Sequence, residues 1–490
     1  MTTLDPRVAE THTGLVVLAG DLAYKIKKPV VTDFLDFSGV AQRERACAHE
    51  VALNRRLAPD SYLGVGHFEA PGAAPEPVIV MRRYPDERRL ATMVRSGADV
   101  TGHLDAIARV LARFHADAER GPAIDAQARV DAVVARWSEN LDELAGYATA
   151  GNCALDPQTV ADVRALVNDF VAGRAVLFAG RITGRRIVDG HADLLADDIF
   201  CLPDGPVLLD CLEFDDRLRY VDVVDDAAFL AMDLEFGGRE DLADHFMTRY
   251  LHLTGDDAPA SLRHFYTAYR AGVRAKVDCV RVTQGNPAAA EDARRHLDIA
   301  LAHLRRGAVR LIMVGGGPGS GKTTLARALA EHLGAQVIST DDIRVEMVGS
   351  GEITGEPGVL GEGLYSPENV DAVYGAVLRH AHLALCEGRT AILDGTWAHE
   401  RHRVHAREMA AGASAELTEL ACAASLDAAV SRIRTRTDTT SQVTPEIATA
   451  LADRGGTGVW AGAHRVDTSR KLSESVAAAL DICHIRELHT

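Results

Sequence analysis

The chain has 490 residues, 47% apolar and 25% charged, the balance of an ordinary globular protein with room for about two to four domains. Its 53 basic and 70 acidic side chains leave a formal charge of −17, which opposes sequence-independent binding to nucleic acid or anionic lipid. No run approaches the roughly eighteen apolar residues of a membrane helix, MTTLDPRVAE lacks the features of a secretory signal, and the eight cysteines include no CxxC pair, so a cytoplasmic protein without a disulfide framework or zinc ribbon is expected.

Residues 14–31 alternate in polarity as a hairpin does, 40–57 have helical spacing, and Val78-Ile79-Val80-Met81 reads as a strand. From about residue 100 helices dominate, starting with Leu104, Ile107, Leu111 and Phe114. This half therefore reads as α+β, a small sheet followed by a helical lobe. Its chemistry centres on His191-Ala192-Asp193, with Asp198 five residues after Asp193 and Asp210 seventeen after it, at the end of a strand-like run. Upstream, Lys25 closes the β-rich stretch Ala23-Tyr24-Lys25, Glu50 lies in a helical segment, and 77–84 reads as a strand running into a hinge.

Over residues 10–285 these motifs, with Leu111-Ala112-Arg113-Phe114-His115-Ala116, resemble the aminoglycoside phosphotransferase family, which has a protein-kinase-like fold. The resemblance implies that Asp193 is the catalytic base, that Asp210 is the main Mg²⁺ ligand and that Asp198 is a second. It also implies that Lys25 holds the nucleotide phosphates and pairs with Glu50. Lys27 shares the strand face and is the alternative lysine. Asp198 stands where the family has Asn, Ala192 replaces the common Gly, and the hairpin at 11–20 is poor in glycine. A domain that keeps the fold but binds nucleotide or substrate without turnover is the other outcome.

A polar helix over 290–306, stopped by Gly307, precedes a buried strand at 309–314, dividing the chain into domains 1–306 and 307–490, both net acidic. The second half alternates: helix 322–333, strand 336–339, a helix capped by Ser366 with Pro367 in its first turn, and strands at 391–393, 416–421 and 464–467. Such alternation predicts an α/β domain with a parallel sheet. Gly316-Gly317-Pro318-Gly319-Ser320-Gly321-Lys322-Thr323 fits G-x-x-x-x-G-K-[ST] between strand and helix. Its glycines let backbone N–H groups converge on phosphates, Lys322 reaches the β- and γ-phosphates, Thr323 ligates Mg²⁺, and Thr324 adjoins the cradle.

A guanine-specific Asn-Lys-x-Asp run is absent, which argues against a GTPase. Instead Asp341-Asp342-Ile343-Arg344 follows the second strand, Asp394 ends the third, and Arg432-Ile433-Arg434-Thr435-Arg436 precedes a polar stretch suited to a lid. Over about residues 308–480 these resemble the P-loop small-molecule kinases related to polynucleotide kinase, gluconate kinase and the zeta toxins. The resemblance implies that Asp341 is the base, Arg344 holds substrate, and Arg432 and Arg436 neutralise the transferred phosphoryl group. Asp342 is expected to cap a helix beginning at Ile343.

The expected protein is a two-module ATP- and Mg²⁺-dependent kinase acting on hydroxyl groups of small molecules. Two alternatives stay open: a P-loop kinase gated by an inactive ligand-sensing first module, and a 5′-hydroxyl polynucleotide kinase, which the acidic charge opposes. Three signals are set aside: His399, His402 and His405 as a solvated helix, Cys201 and Cys211 as core thiols, and the basic-aromatic stripe Tyr266, Tyr269, Arg270, Arg274, Lys276 as packing.

Overall fold

The alternating residues at the start of the chain make a sheet whose strands are set by short turns. In the computed structural model, which describes residues 7–10, 14–30, 37–69, 74–151, 153–356, 361–435 and 459–483, β1 (Arg7–Glu10), β2 (Gly14–Ala19), β3 (Leu22–Lys27), β4 (Tyr62–Phe68) and β5 (Glu76–Arg82) pair antiparallel in the order β1-β2-β3-β5-β4. Gly20, with φ of 58°, supplies the left-handed residue that the tight β2–β3 turn needs. The helix Val40–Asn54 lies against this sheet, burying Cys47 and Val51 with Tyr62 and Ile79. Strand β4 is invisible to periodicity, because YLGVGHF holds two glycines and shifts register between Tyr62 and Gly64.

Helices Thr101–Asp117, Val130–Ala150, Val223–Phe236, Glu240–Thr254 and Ala260–Thr283 follow, with Leu104, Ile107 and Leu111 wholly buried. Among them sit four short strands, β6 (Ile187–Asp189), β7 (Ile199–Leu202), β8 (Gly205–Leu208) and β9 (Tyr220–Asp222), paired as β6 with β9 and β7 with β8. The β7–β8 hairpin spans the residues between Asp198 and Asp210 and so brings the two acids together in space.

The second sheet contains β10 (Arg310–Gly315), β11 (Gln336–Ser339), β12 (Ala391–Asp394), β13 (Glu416–Ala423) and β14 (His464–Asp467). All neighbours are parallel and the order is β11-β12-β10-β13-β14, so β10, buried at every residue, is central. The helix Lys322–Leu333 packs Leu325 and Leu329 onto Ile312, Ile392 and Leu420. Ser366 caps the helix Pro367–Cys386 by accepting from the Asn369 N–H. The expected cap at Asp342 is corrected: the helix runs Thr340–Ser350, and the Ser339 side chain accepts from the Asp341 N–H at 3.2 Å. Thr340 continues helically straight from β11, which moves the cap three residues upstream of the expected position.

The fold class is as the sequence indicates, a small antiparallel sheet with a helical lobe ahead of an α/β P-loop domain. The chain divides into two compact units: Met1–Val160 with Ala179–Ala258 and Tyr266–Ala300, and Ala161–Phe178 with Pro259–Phe265 and Leu301–Thr490. Within the second unit, Arg174 donates to the carbonyls of Ala413 at 2.7 Å and Ser414 at 3.2 Å, and the Ser261 hydroxyl donates to the Gly388 carbonyl at 2.6 Å. Among the described residues no helix is long and apolar enough to cross a membrane.

Candidate functional site

In the first unit the sheet places Lys25 and Lys27 two residues apart on β3, both directed at the wholly buried carboxylate of Glu50 in the helix beneath. Lys25 Nζ meets Glu50 Oε1 at 2.8 Å and Asp210 Oδ1 at 2.5 Å, while Lys27 Nζ meets Glu50 Oε2 at 2.5 Å and pairs with Glu213. Burial alone would depress the Lys25 pKa, but Asp210 and Glu50 outweigh it and hold the ammonium charged. Lys25 lines the cavity and Lys27 lies buried behind it, so of the two lysines Lys25 is the one that can meet a ligand.

That cavity, of about 1570 Å³, also takes in Asp193, Asp198, Asp210 and the segment Arg83, Tyr84 and Pro85 that leaves β5. Burial pushes the Asp193 pKa up to about 7, against the pull of Arg274. Burial raises Asp198 as well, with Asp210 and Asp193 adding like charge. For Asp210 burial acts upward too, but Lys25 outweighs it and keeps the carboxyl below its usual range. A carboxylate pair forced together in this way fits a divalent cation, which would relieve the repulsion that raises Asp198.

The turn carrying Asp193 is built around a residue the sequence reading passed over. Asp226, buried in the helix Val223–Phe236, accepts from the His191 and Ala192 N–H groups, each at 2.7 Å, and meets His115 Nε2 at 2.9 Å. His115 Nδ1 in turn meets the Tyr250 hydroxyl at 2.6 Å. Ala192 and Asp210 both have left-handed backbones, with φ of 66° and 64°. The first of these positions is where Ala replaces the Gly that would adopt it without strain. The signal was available: two adjacent acids in the otherwise apolar run Val223-Val224-Asp225-Asp226-Ala227-Ala228-Phe229 need buried partners. The stripe read as packing is corrected in part. Tyr269, Arg270, Arg274 and Lys276 line the cavity, whereas Tyr266 is buried against Asp222. Cys201 and Cys211 are buried free thiols.

In the second unit three parallel strands deliver their carboxyl ends to one place, as the central position of β10 requires. Val314 and Ser339 both stand in register with Asp394. The loop leaving β10 turns at Gly316, Gly319 and Gly321, with φ of 151°, 73° and 85°. A Cβ on Gly319 would stand 2.5 Å from the Ala429 carbonyl oxygen, so both backbone and space exclude a side chain there. Gly317 accepts from the Ser320 N–H at 3.2 Å, closing the loop around Pro318. Lys322 and Thr323 open the helix, and Thr324 is exposed beside them.

The Thr323 hydroxyl donates to Asp394 Oδ2 at 2.6 Å, while Asp394 Oδ1 is buried with no hydrogen-bond partner among the described residues. Burial raises the Asp394 pKa, opposed by Lys322 and Thr323. An orphaned carboxylate oxygen next to a hydroxyl on a phosphate-binding loop fits a hydrated divalent cation. Asp341 is half-buried and held by Arg344 Nη1 at 2.8 Å, with the Arg344 guanidinium over the Tyr365 ring at 4.5 Å; Asp342 is exposed. Arg432 donates to the carbonyls of Gly319 at 3.4 Å and Thr468 at 2.7 Å, against the loop itself. Arg436 and the stretch read as a lid lie outside the described residues. His402 is buried, stacked on Tyr374 and bonded to Asp371 at 2.7 Å, so of the three histidines this one is not solvated.

A family model described as AAA domain matches residues 311–454, the stretch that holds the phosphate loop, Asp341, Asp394 and Arg432. Among solved structures, a choline/ethanolamine kinase family protein from Mesorhizobium loti is similar at 16% identity and a TM-score of 0.38, over 62% of this chain and 93% of its own. A gluconokinase from Sinorhizobium meliloti 1021 is similar at 19% identity and a TM-score of 0.28, over 37% of this chain and 96% of its own. The match to uncharacterized protein Rv2004c of Mycobacterium tuberculosis (strain H37Rv) extends through both units, at 56% identity over 476 residues, 97% of this chain and 95% of that protein, and the same figures hold for uncharacterized protein Mb2027c of Mycobacterium bovis. The chain belongs to the family of these mycobacterial proteins.

Proposed function

We propose that the chain is a two-site phosphotransferase in which each unit moves the γ-phosphoryl group of ATP to a hydroxyl group of a small molecule. The observation that carries this reading is the duplication. Each unit has a lysine and a further aspartate near a carboxylate suited to a divalent cation: Lys25 and Asp193 share a cavity with Asp210 in the first, and Lys322 and Asp341 both act on the charge of Asp394 in the second.

In each site the acceptor oxygen attacks the γ-phosphorus as the bond to the β–γ bridging oxygen breaks. The hydroxyl proton passes to an aspartate, and ADP leaves with the electron pair. In the first unit Asp193 receives the proton, and its raised pKa suits that role near neutral pH. Lys25, anchored by Glu50, faces the phosphates. In the second unit the loop's N–H groups and Lys322 hold the phosphates, Asp341 takes the proton, and Arg344 fixes the carboxylate. The half-buried setting of Asp341 supports it over exposed Asp342. Asp198 and Asp210 in one unit, and Thr323 with Asp394 in the other, would hold Mg²⁺, which would neutralise phosphate charge when bound. Arg432, which lies against the loop, adds positive charge at the second site.

The test uses the full chain. Lys322→Ala silences the second unit, so ATP consumption that remains with a panel of hydroxy compounds belongs to the first. A further Asp193→Asn change should reduce it by about a hundredfold or more while Mg²⁺-ADP binding persists. In the converse background, Asp193→Asn alone, adding Asp341→Asn should cut the residual turnover by a similar factor. If Lys322→Ala abolishes all turnover and the first unit binds no Mg²⁺-ATP, that unit is a sensor for the second.

A further inference from the structure

The cavity of the first unit has a wall that phosphoryl transfer itself leaves without a role. The helix Ala260–Thr283 turns Tyr269, Arg270, Val273, Arg274 and Val277 into it at helical spacing, facing Arg136 and Asn140 of the helix Val130–Ala150. Most cations on this wall are matched. Arg270 grips Asp225 at 2.7 and 2.9 Å, Lys276 reaches Glu143 at 3.4 Å, and Arg281 meets Asp278 at 3.0 Å. Arg136 donates to the Gln127 carbonyl at 2.8 Å, and Glu139 exerts its charge on the exposed Arg217.

Arg274 is different. It makes no hydrogen bond or ion pair with any described residue, and its Nε is shut off from solvent with no partner. Asp193 and Asp233 both feel its charge, yet neither takes a hydrogen bond from it, so its N–H donors are left for an anion that enters the cavity. The guanidinium stands close to the base, for among charged side chains Arg274 acts most strongly on Asp193. Its fork matches a carboxylate or phosphate through two parallel N–H donors.

We propose that the first unit phosphorylates a hydroxy compound bearing an anionic group, a carboxylate or a phosphate, and that Arg274 binds that group and determines specificity. The inference rests on the reading of this unit as a phosphotransferase. Arg274 takes no part in the bond changes. It holds the anion while a neighbouring hydroxyl lies against Asp193, so its contribution belongs to acceptor binding.

The experiment uses the full chain with Lys322→Ala, and four sets of acceptors: sugar acids including gluconate, sugar and glycerol phosphates, neutral sugars including glucose, and cationic aminocyclitols including kanamycin. ATP turnover should be fastest with one of the two anionic sets, and which set responds identifies the anion. Assayed well above pH 7, where Asp193 is ionised with or without the neighbouring guanidinium, Arg274→Ala should raise KM for that acceptor by about tenfold to a hundredfold with little change in kcat, the size of a lost charge-assisted hydrogen bond. Arg274→Lys should recover part of the loss, and the melting temperature should hold in both variants. Preference for neutral or cationic acceptors overturns the proposal, as does binding of Mg²⁺-ATP without turnover of any set. An Arg274→Ala effect on kcat alone, equal for charged and neutral acceptors, also overturns it, since Arg274 would then merely position Asp193. Failure to bind Mg²⁺-ATP at all instead removes the phosphotransferase reading of the unit.

Discussion

In the second unit the proposed phosphate cradle is made from consecutive residues, 316–323, and would act mainly through backbone N–H groups freed by glycine. In the first unit the corresponding groups are side chains drawn from distant parts of the chain: Lys25 and Asp210 touch across a separation of 185 residues. The cradle depends on backbone conformation and tolerates little added volume. The side-chain cluster depends on burial and mutual charge, with Glu50 buried between two lysines and Asp198 raised by burial and then by its acidic neighbours. The first design should therefore be broken by sterics and the second by titration.

The largest effect is expected from volume. Gly319→Val should weaken nucleotide binding to the second unit by more than about a hundredfold, read by calorimetry with Mg²⁺-ADP, because a side chain there meets the Ala429 carbonyl and a left-handed backbone. Equal affinity in that variant would mean that the loop's backbone does not hold phosphate.

A smaller effect follows from charge. With its pKa pushed up to about 7, Asp193 is increasingly protonated as pH falls, so first-unit turnover should drop about tenfold per unit well below pH 7. The same shift has a stability consequence of opposite sense. Between about pH 4 and 7 the folded chain keeps a proton that the unfolded chain has lost, so Asp193 lowers stability as pH rises through that window. Asp193→Asn should raise the melting temperature at pH 8 and leave it unchanged near pH 4. A gain of equal size at both values would assign the effect to something other than this carboxyl.

How legible each design was follows from the same contrast. A phosphate loop is a local object, so Gly316 to Thr323 could be read directly, and Asp394 could be placed beside it because buried strands alternate with helices at short range. Charge clusters assembled by tertiary packing leave weaker marks. Asp193, Asp198 and Asp210 were found by spacing, and the structure gathers them into one cavity. Asp226, which shapes the turn, leaves no local mark because its hydrogen-bond partners His115 and His191 are distant in sequence and meet it only in the tertiary fold. Arg274 sits in a helical stripe that reads as packing, since periodicity reports that a helix has a face and says nothing of whether that face meets protein or a cavity. The Ser339 cap was missed because two acids just beyond it are equally good capping residues by composition. That point yields the smallest predicted effect: Ser339→Ala should cost about 1 kcal/mol in denaturant unfolding, more than Asp342→Ala. The reverse order would restore Asp342 as the cap.

The second unit recruits residues 161–178 and 259–265 from the earlier part of the chain. A ribosome therefore releases pieces of the P-loop unit long before the phosphate loop itself emerges, and these must wait for partners such as the Gly388 and Ala413 carbonyls. A gene cut at the apparent boundary near residue 307 would separate Arg174 and Ser261 from those partners. Such threading opposes the loss or exchange of one module by simple recombination, and gives selection a reason to pass both on as a single gene.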